Sequence, residues 1–456
     1  MHPTKTKRVN PNEKPCYRIW RWGQARPPVV HEFRRGVRMN TSSGHARLII
    51  TVSLCFLVAL MEGLDLQAAG IAAPGMAAAF ALEKMHMSWI FSAGILGLLP
   101  GALVGGWISD HYGRKKVLIG SVALFGVFSL ATALAWDLTT LVGARFLTGV
   151  GLGAALPNLI ALSSEAAGPK MRGLAVSLMY CGVPLGAALA AAIGVVGQAS
   201  NWQTVFYVGG AVPLLLVPLL IALLPESSEF NLPQVGENSA SRFSALFGKD
   251  ALLPTCLLWT SYFFTLLVVY MLINWLPSLL VGQGFSTVEA SWVMFALQIG
   301  AAIGTLVLGA LMDRLNPLMM SVLIYAGMLS ALAALGVASS FNAMLIAGFI
   351  AGLFATGGQG VLYGMAPLFY PTKMRATGVG TAVAVGRLGA MSGPLVAGKM
   401  LALGTGTAGV MLASAPGIVI AGIAVYALLR RKDKQAFSAS SGLAISSIHL
   451  ERGQQQ

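Results

Sequence analysis

The chain has 456 residues, of which 56% are hydrophobic and only 10% charged, with a mean hydropathy of +0.74. Soluble domains usually carry about 25% charge, so a soluble enzyme is excluded, and the four cysteines (Cys16, Cys55, Cys181, Cys256) show neither a CxxC nor a metal-ligand spacing. The net charge of +14 does not point to nucleic acid, because residues 1–47 hold eleven Lys/Arg against Glu13 and Glu32, so most of the excess is a tail.

Residues 1–38 contain no apolar core segment and are not a secretory signal peptide. Their Arg/Pro/Trp mixture predicts disorder, and Met39-Asn-Thr-Ser-Ser reads as a natural start of translation. From residue 48 the chain becomes a series of apolar stretches of about 18–25 residues, each long enough to cross a hydrocarbon core of about 30 Å as a helix. The expected spans are 48–73, 88–109, 117–136, 139–162, 174–197, 203–224, 251–280, 288–312, 318–338, 341–366, 378–400 and 408–429. The expected organisation is a basic tail (1–47), six helices (48–224), a polar central loop (225–250), six further helices (251–429) and a C-terminal tail (430–456).

Ionisable groups inside such spans cost about 2.5–3.5 kcal/mol each, so each one kept calls for a partner, water or a task. Span one holds Glu62 and Asp65, which at i, i+3 share a helix face. Two close carboxylates in a low dielectric resist double ionisation, and they are expected to carry a proton. Arg145 in span four is expected to relay that proton or to pair with Asp65 or Glu62, and Arg387 in span eleven to hold an anionic ligand, since a guanidinium fork matches a carboxylate. Polar and aromatic residues in the second half, namely Tyr270, Asn274 and Trp275 in span seven, Gln298 in span eight, and Gln359 with Tyr363 in span ten, could line a pocket. Asn158 is a weaker candidate, and Lys399 is expected to snorkel at its span's outer end. Gly182-Val183-Pro184-Leu185-Gly186 and Gly393-Pro394 read as bending points.

Between spans two and three lies Gly106-Trp-Ile-Ser-Asp110-His-Tyr-Gly113-Arg114-Lys115-Lys116. A shorter copy, Gly309-Ala-Leu-Met-Asp313-Arg314, follows span eight at an offset of 203, and Lys170-Met171-Arg172 reappears as Lys373-Met374-Arg375 at the same offset. Two matches at one offset imply parallel six-helix repeats about an axis along the membrane normal, with a site between the halves. Of 30 Lys/Arg, 26 fall in the tails and the loops on one side, so both termini are expected in the cytoplasm.

The Gly106–Lys116 signature, its degenerate second copy and Arg145-Phe-Leu-Thr-Gly149-Val-Gly151-Leu-Gly153 resemble the major facilitator superfamily. Glu62-Gly63-Leu64-Asp65 resembles the D-G-x-D motif of its aromatic acid:proton symporter family, with Glu in place of the first Asp. The stretches Leu54–Ala73, Gly149–Ala161 and Gly378–Gly393 narrow that likeness to bacterial importers of phenylpropionates. The resemblance implies an all-helical membrane protein of twelve spans in two pseudo-symmetric halves, importing an aromatic acid with a proton across the bacterial inner membrane. No cofactor, metal or nucleic acid is implied, and the protein is expected to be a monomer rather than an enzyme. A benzoate-type importer, a drug or metabolite antiporter and a sensor on the same scaffold are the rival readings. In the loop signature, Asp110 is placed to cap or pair at helix ends, and Arg114 and Lys115 to bridge to acids such as Glu165. Together with Gly106, Gly113, Arg172, Asp313 and Arg314, these are expected to form a latch, made when the outer side is open and broken when the inner side is open.

Overall fold

The computed structural model describes residues 41–196, 201–226, 246–248, 251–312, 314–370 and 375–453, with side chains outside the description at 41–45, 110, 168–170, 173, 364, 367, 368, 375, 376 and from 432 onwards. The expectations for residues 1–38, for most of the central loop, and for Asp313, Lys373 and the Asp110 side chain therefore lie outside the described residues. Among the described residues, twelve helices are long and apolar enough to cross a membrane, and the chain is a multi-pass membrane protein. They lie on α1 (Thr41–Ala79), α2 (Lys84–Tyr112), α3 (Arg114–Ala133), α4 (Leu138–Tyr180), α5 (Gly182–Val196) and α6 (Thr204–Leu223), the fifth crossing segment, Leu174–Val196, taking in the end of α4 as well as α5. The second six are α7 (Leu252–Gly282), α8 (Thr287–Met312), α9 (Pro317–Val337), α10, α11 (Arg375–Ala402) and α12 (Gly406–Gly453). α10 begins as Phe341–Ala351, passes through a π turn at Gly352–Thr356 and resumes as Gly357–Met365.

Local signals set the starts. Asp137 caps α4 by accepting from the Thr140 amide at 2.7 Å, and these hydrogen bonds hold its carboxyl below the usual carboxylate range. Asn316 caps α9 ahead of Pro317, and Ser340 caps α10. Helical hydrogen bonding continues from Leu138 to Tyr180, but the fourth and fifth membrane-crossing segments, Leu138–Ala167 and Leu174–Val196, part inside the connection expected at 163–173. The Gly168-Pro169 pair lies in that connection, between the two segments.

The two halves repeat in packing. α2 packs on α4, α1 on α5 and α3 on α6, and correspondingly α8 packs on α10, α7 on α11 and α9 on α12. The repeat holds to the residue at the same offset of 203. A methyl on Gly97 would strike the Phe146 carbonyl, and one on Gly300 the Phe349 carbonyl. Gly101 meets Val150 as Gly304 meets Leu353, Gly149 meets Gly94 as Gly352 meets Leu297, and Gly186 meets Leu60 as Gly389 meets Phe263. Hydrocarbon solvent offers helices no hydrophobic drive to associate, so backbone proximity supplies dispersion contacts instead.

Between the halves, α2 meets α11, α5 meets α8 and α1 meets α7. The described cross-half contacts gather towards one end. Lys84 Nζ donates to the Leu401 carbonyl (3.2 Å), Ser92 Oγ to that of Met391 (2.9 Å), and Gly70, Gly194 and Gly398 abut Ile273, Ser291 and Ser88.

Candidate functional site

Below this closed end the halves border a chamber lined from the first half by Glu62, Gly63, Leu66, Gln67, Leu156, Tyr180, Val183, Pro184 and Ala187. The second half contributes Tyr270, Ile273, Gln298, Thr305, Thr356, Gln359, Gly360 and Arg387. A chamber lined by apolar side chains with a few convergent polar groups suits a small aromatic molecule.

Its charged groups are Glu62 and Arg387. Glu62 is 2% exposed, and its Oε2 is buried with no hydrogen-bond partner. Arg387 is the cation within electrostatic reach of it, and Arg387 Nη1 donates to Tyr270 Oη at 2.6 Å with the guanidinium 5.9 Å from that ring's centre. Asp65 looks elsewhere. Its Oδ2 accepts from Arg145 Nη1 at 2.8 Å, its Oδ1 from Ser129 Oγ at 2.9 Å, and its own carbonyl from Arg145 Nη2 at 3.3 Å. The Arg145 guanidinium also lies 5.5 Å from the Phe206 ring centre. The expected acidic pair is thus corrected. Positions i and i+3 are neighbours on a helix but 60° apart, and here the rotation of α1 gives Glu62 to the chamber and Asp65 to the interior of the first half.

An amide pair bridges the halves across the chamber wall. Gln67 Nε2 donates to the Ile273 carbonyl at 3.0 Å, and Gln298 Nε2 donates to Gln67 Oε1 at 2.7 Å. Gln359 Nε2 donates to Tyr363 Oη at 2.8 Å, which places Tyr363 behind Gln359 against the Tyr262 ring. Asn274 does not join the site: it is buried and donates to the Tyr270 carbonyl of its own helix at 2.7 Å. Trp275 likewise is spent on the Pro394 carbonyl and the Phe91 ring, and Asn158 on the Ala154 carbonyl. Gln67, Tyr180, Thr305 and Thr356 were not picked out from the sequence, although a glutamine five residues after Glu62 in an apolar run was a readable signal.

At the other end of the bundle, Gly113 turns the chain between α2 and α3 with φ 98°, a conformation that favours glycine. Glu226, just after α6, accepts from the Lys115 amide at 3.0 Å, and Lys115 Nζ donates to the Ile221 carbonyl at 2.8 Å. Arg114 pairs with Glu165 of α4. Glu165 belongs to the first half and Glu226 to the start of the central loop, and these contacts are made while the Lys84 end is closed. Gly106 and Gly309 have open space around them, Arg172 and Arg314 are exposed, and so is Lys399.

The Major Facilitator Superfamily profile matches residues 55–336 and 258–449. The 3-(3-hydroxyphenyl)propionate transporter of Escherichia coli K12 is 71% identical over 394 residues, 86% of this chain and 97% of the relative. A gallate transporter of Pseudomonas putida is 36% identical over 77% of this chain and 85% of its own length. Among solved structures, a bacterial homologue of the human lysosomal transporter Spinster superposes with a TM-score of 0.70 at 18% identity, covering 84% of this chain and 97% of that one.

Proposed function

This chain belongs to the Major Facilitator Superfamily, and from that premise we propose that it is a proton-coupled importer of an aromatic carboxylate, in the first place 3-(3-hydroxyphenyl)propionate. It works by alternating access as a monomer in the bacterial inner membrane. The side rich in Lys and Arg, with both termini, faces the cytoplasm, and the Lys84 end faces out.

One observation carries the coupling: a carboxyl oxygen buried without a partner in a chamber whose other charge is Arg387. Empty, the chamber holds Glu62 as an anion and Arg387 as a cation and is neutral. Loaded, it holds protonated Glu62, cationic Arg387 and the substrate carboxylate, and is neutral again. Proton alone or anion alone leaves one net charge at mid-membrane. That costs about 2.5–3.5 kcal/mol, a factor of roughly a hundred in population. The two forms able to cross are therefore the empty and the doubly loaded one, which is symport. Asp65 already has Arg145 and Ser129 as partners, so Glu62 is the carrier.

The test is uptake of labelled 3-(3-hydroxyphenyl)propionate into vesicles holding the protein, with an imposed inward proton gradient and again after a protonophore. Accumulation should collapse with the gradient. Glu62→Gln, a permanent mimic of the protonated form, should lose accumulation at least tenfold yet keep substrate exchange. Unchanged accumulation in that variant would remove Glu62 from the coupling, and absence of uptake by the folded wild type would remove the substrate.

A further inference from the structure

The cross-half amide pair has a directionality fixed by the backbone. A peptide carbonyl only accepts, so the Gln67 amide must turn its Nε2 towards Ile273, as it does at 3.0 Å. That leaves Gln67 Oε1 facing Gln298, which must then present its own Nε2, as it does at 2.7 Å. The remaining atom, Gln298 Oε1, is an acceptor that no described group fills. Gln298 itself is buried and lines the chamber. Gln359 is not constrained this way, because the Tyr363 hydroxyl it meets can donate or accept.

Position adds to orientation. Gln67 lies five residues beyond Glu62 on α1, about 7.5 Å along the helix axis. Measured from the Glu62 and Arg387 end, this is comparable to the reach from a carboxylate over a two-carbon linker to a meta position on a ring.

Resting on the reading of an aromatic carboxylate as substrate, we propose that Gln298 Oε1 accepts the ring hydroxyl of that substrate, and that Gln67 is the positioning residue holding Gln298 in the accepting orientation. The site then selects phenolic over unsubstituted phenylpropionates, because an acid lacking the hydroxyl leaves a polar atom facing apolar carbon.

The experiment is binding of two acids, 3-(3-hydroxyphenyl)propionate and 3-phenylpropionate, to the purified full-length protein by calorimetry. Wild type should prefer the hydroxylated acid by about tenfold or more. Gln298→Leu should bring the two affinities within about twofold by weakening the hydroxylated acid alone. Gln67→Met, which leaves Gln298 in place but frees its amide to turn, should narrow the ratio partway; a structural fault would instead weaken both acids together. A ratio unchanged in both variants, or a wild type without preference, overturns the assignment while leaving the substrate class standing. Failure of the wild type to bind either acid overturns the substrate reading and this assignment with it.

Discussion

Asp65 and Arg145 are buried to 0% and 4% exposure and pair with each other inside the first half. Removing one partner of such a pair strands a charge and costs about 3–5 kcal/mol, whereas replacing both by neutral residues of similar volume costs far less. We therefore expect Asp65→Asn to lower the thermal midpoint in detergent sharply. Asp65→Asn combined with Arg145→Met should recover most of it, while Glu62→Gln should leave the midpoint near wild type. A double variant no more stable than the single one would contradict this division of labour. Glu62, Arg387, Tyr270, Gln298 and Gln359 were legible because an ionisable or amide group in an apolar run is conspicuous. Which acid of span one faces the chamber was not, because that depends on the rotation of α1 against α4 and α7. Gln67 was overlooked although the repeat points to it: at the offset of 203 its counterpart is Tyr270, and both line the chamber. Glu62 and Arg387 have Thr265 and Pro184 as counterparts, so the repeat cannot predict them.

At the scale of the helix, the glycine contacts between α2 and α4 and between α8 and α10 leave no room for a side chain. Gly300→Leu should destabilise by more than the roughly 1–3 kcal/mol typical of overpacking, since the obstruction is backbone, and Gly97→Leu should do the same in the first half. Gly106→Ala and Gly309→Ala, where space is open, should be close to neutral in the same melting assay. Span number and approximate ends were readable from hydropathy, because the membrane fixes length and backbone satisfaction. The π turn of α10 was not. A π turn has no marker in the order of residues. That turn sits at Gly352–Thr356, beside the chamber residues Thr356 and Gln359, whereas its counterpart in α4 stays α-helical. It rotates the following side chains relative to the first half, one way in which a duplicated scaffold acquires an asymmetric pocket.

For the whole molecule, the direction of access depends on the end closed by Gly70, Gly194 and Gly398. A bulky residue there acts as a wedge. Gly70→Leu should hold the Lys84 end open, so that a cysteine placed at Ser92 becomes reactive to a membrane-impermeant thiol reagent from outside while transport falls by tenfold or more. Equal labelling with and without the wedge would show that this end does not gate. The proximity of the two halves at this end depends on residues far apart in sequence, and hydropathy carries no sign of it. At the opposite end, among the described residues, Arg114 pairs with Glu165 and the Lys115 amide donates to Glu226. Coulombic contacts at a surface weaken with salt, whereas backbone packed on backbone and a hydroxyl on a carbonyl do not. In the proposed orientation, cytoplasmic ionic strength can therefore weaken the Arg114–Glu165 pair, while the backbone packing at Gly70 and the Ser92 hydroxyl contact on the outer side close with nearly the same firmness in dilute or in salty surroundings.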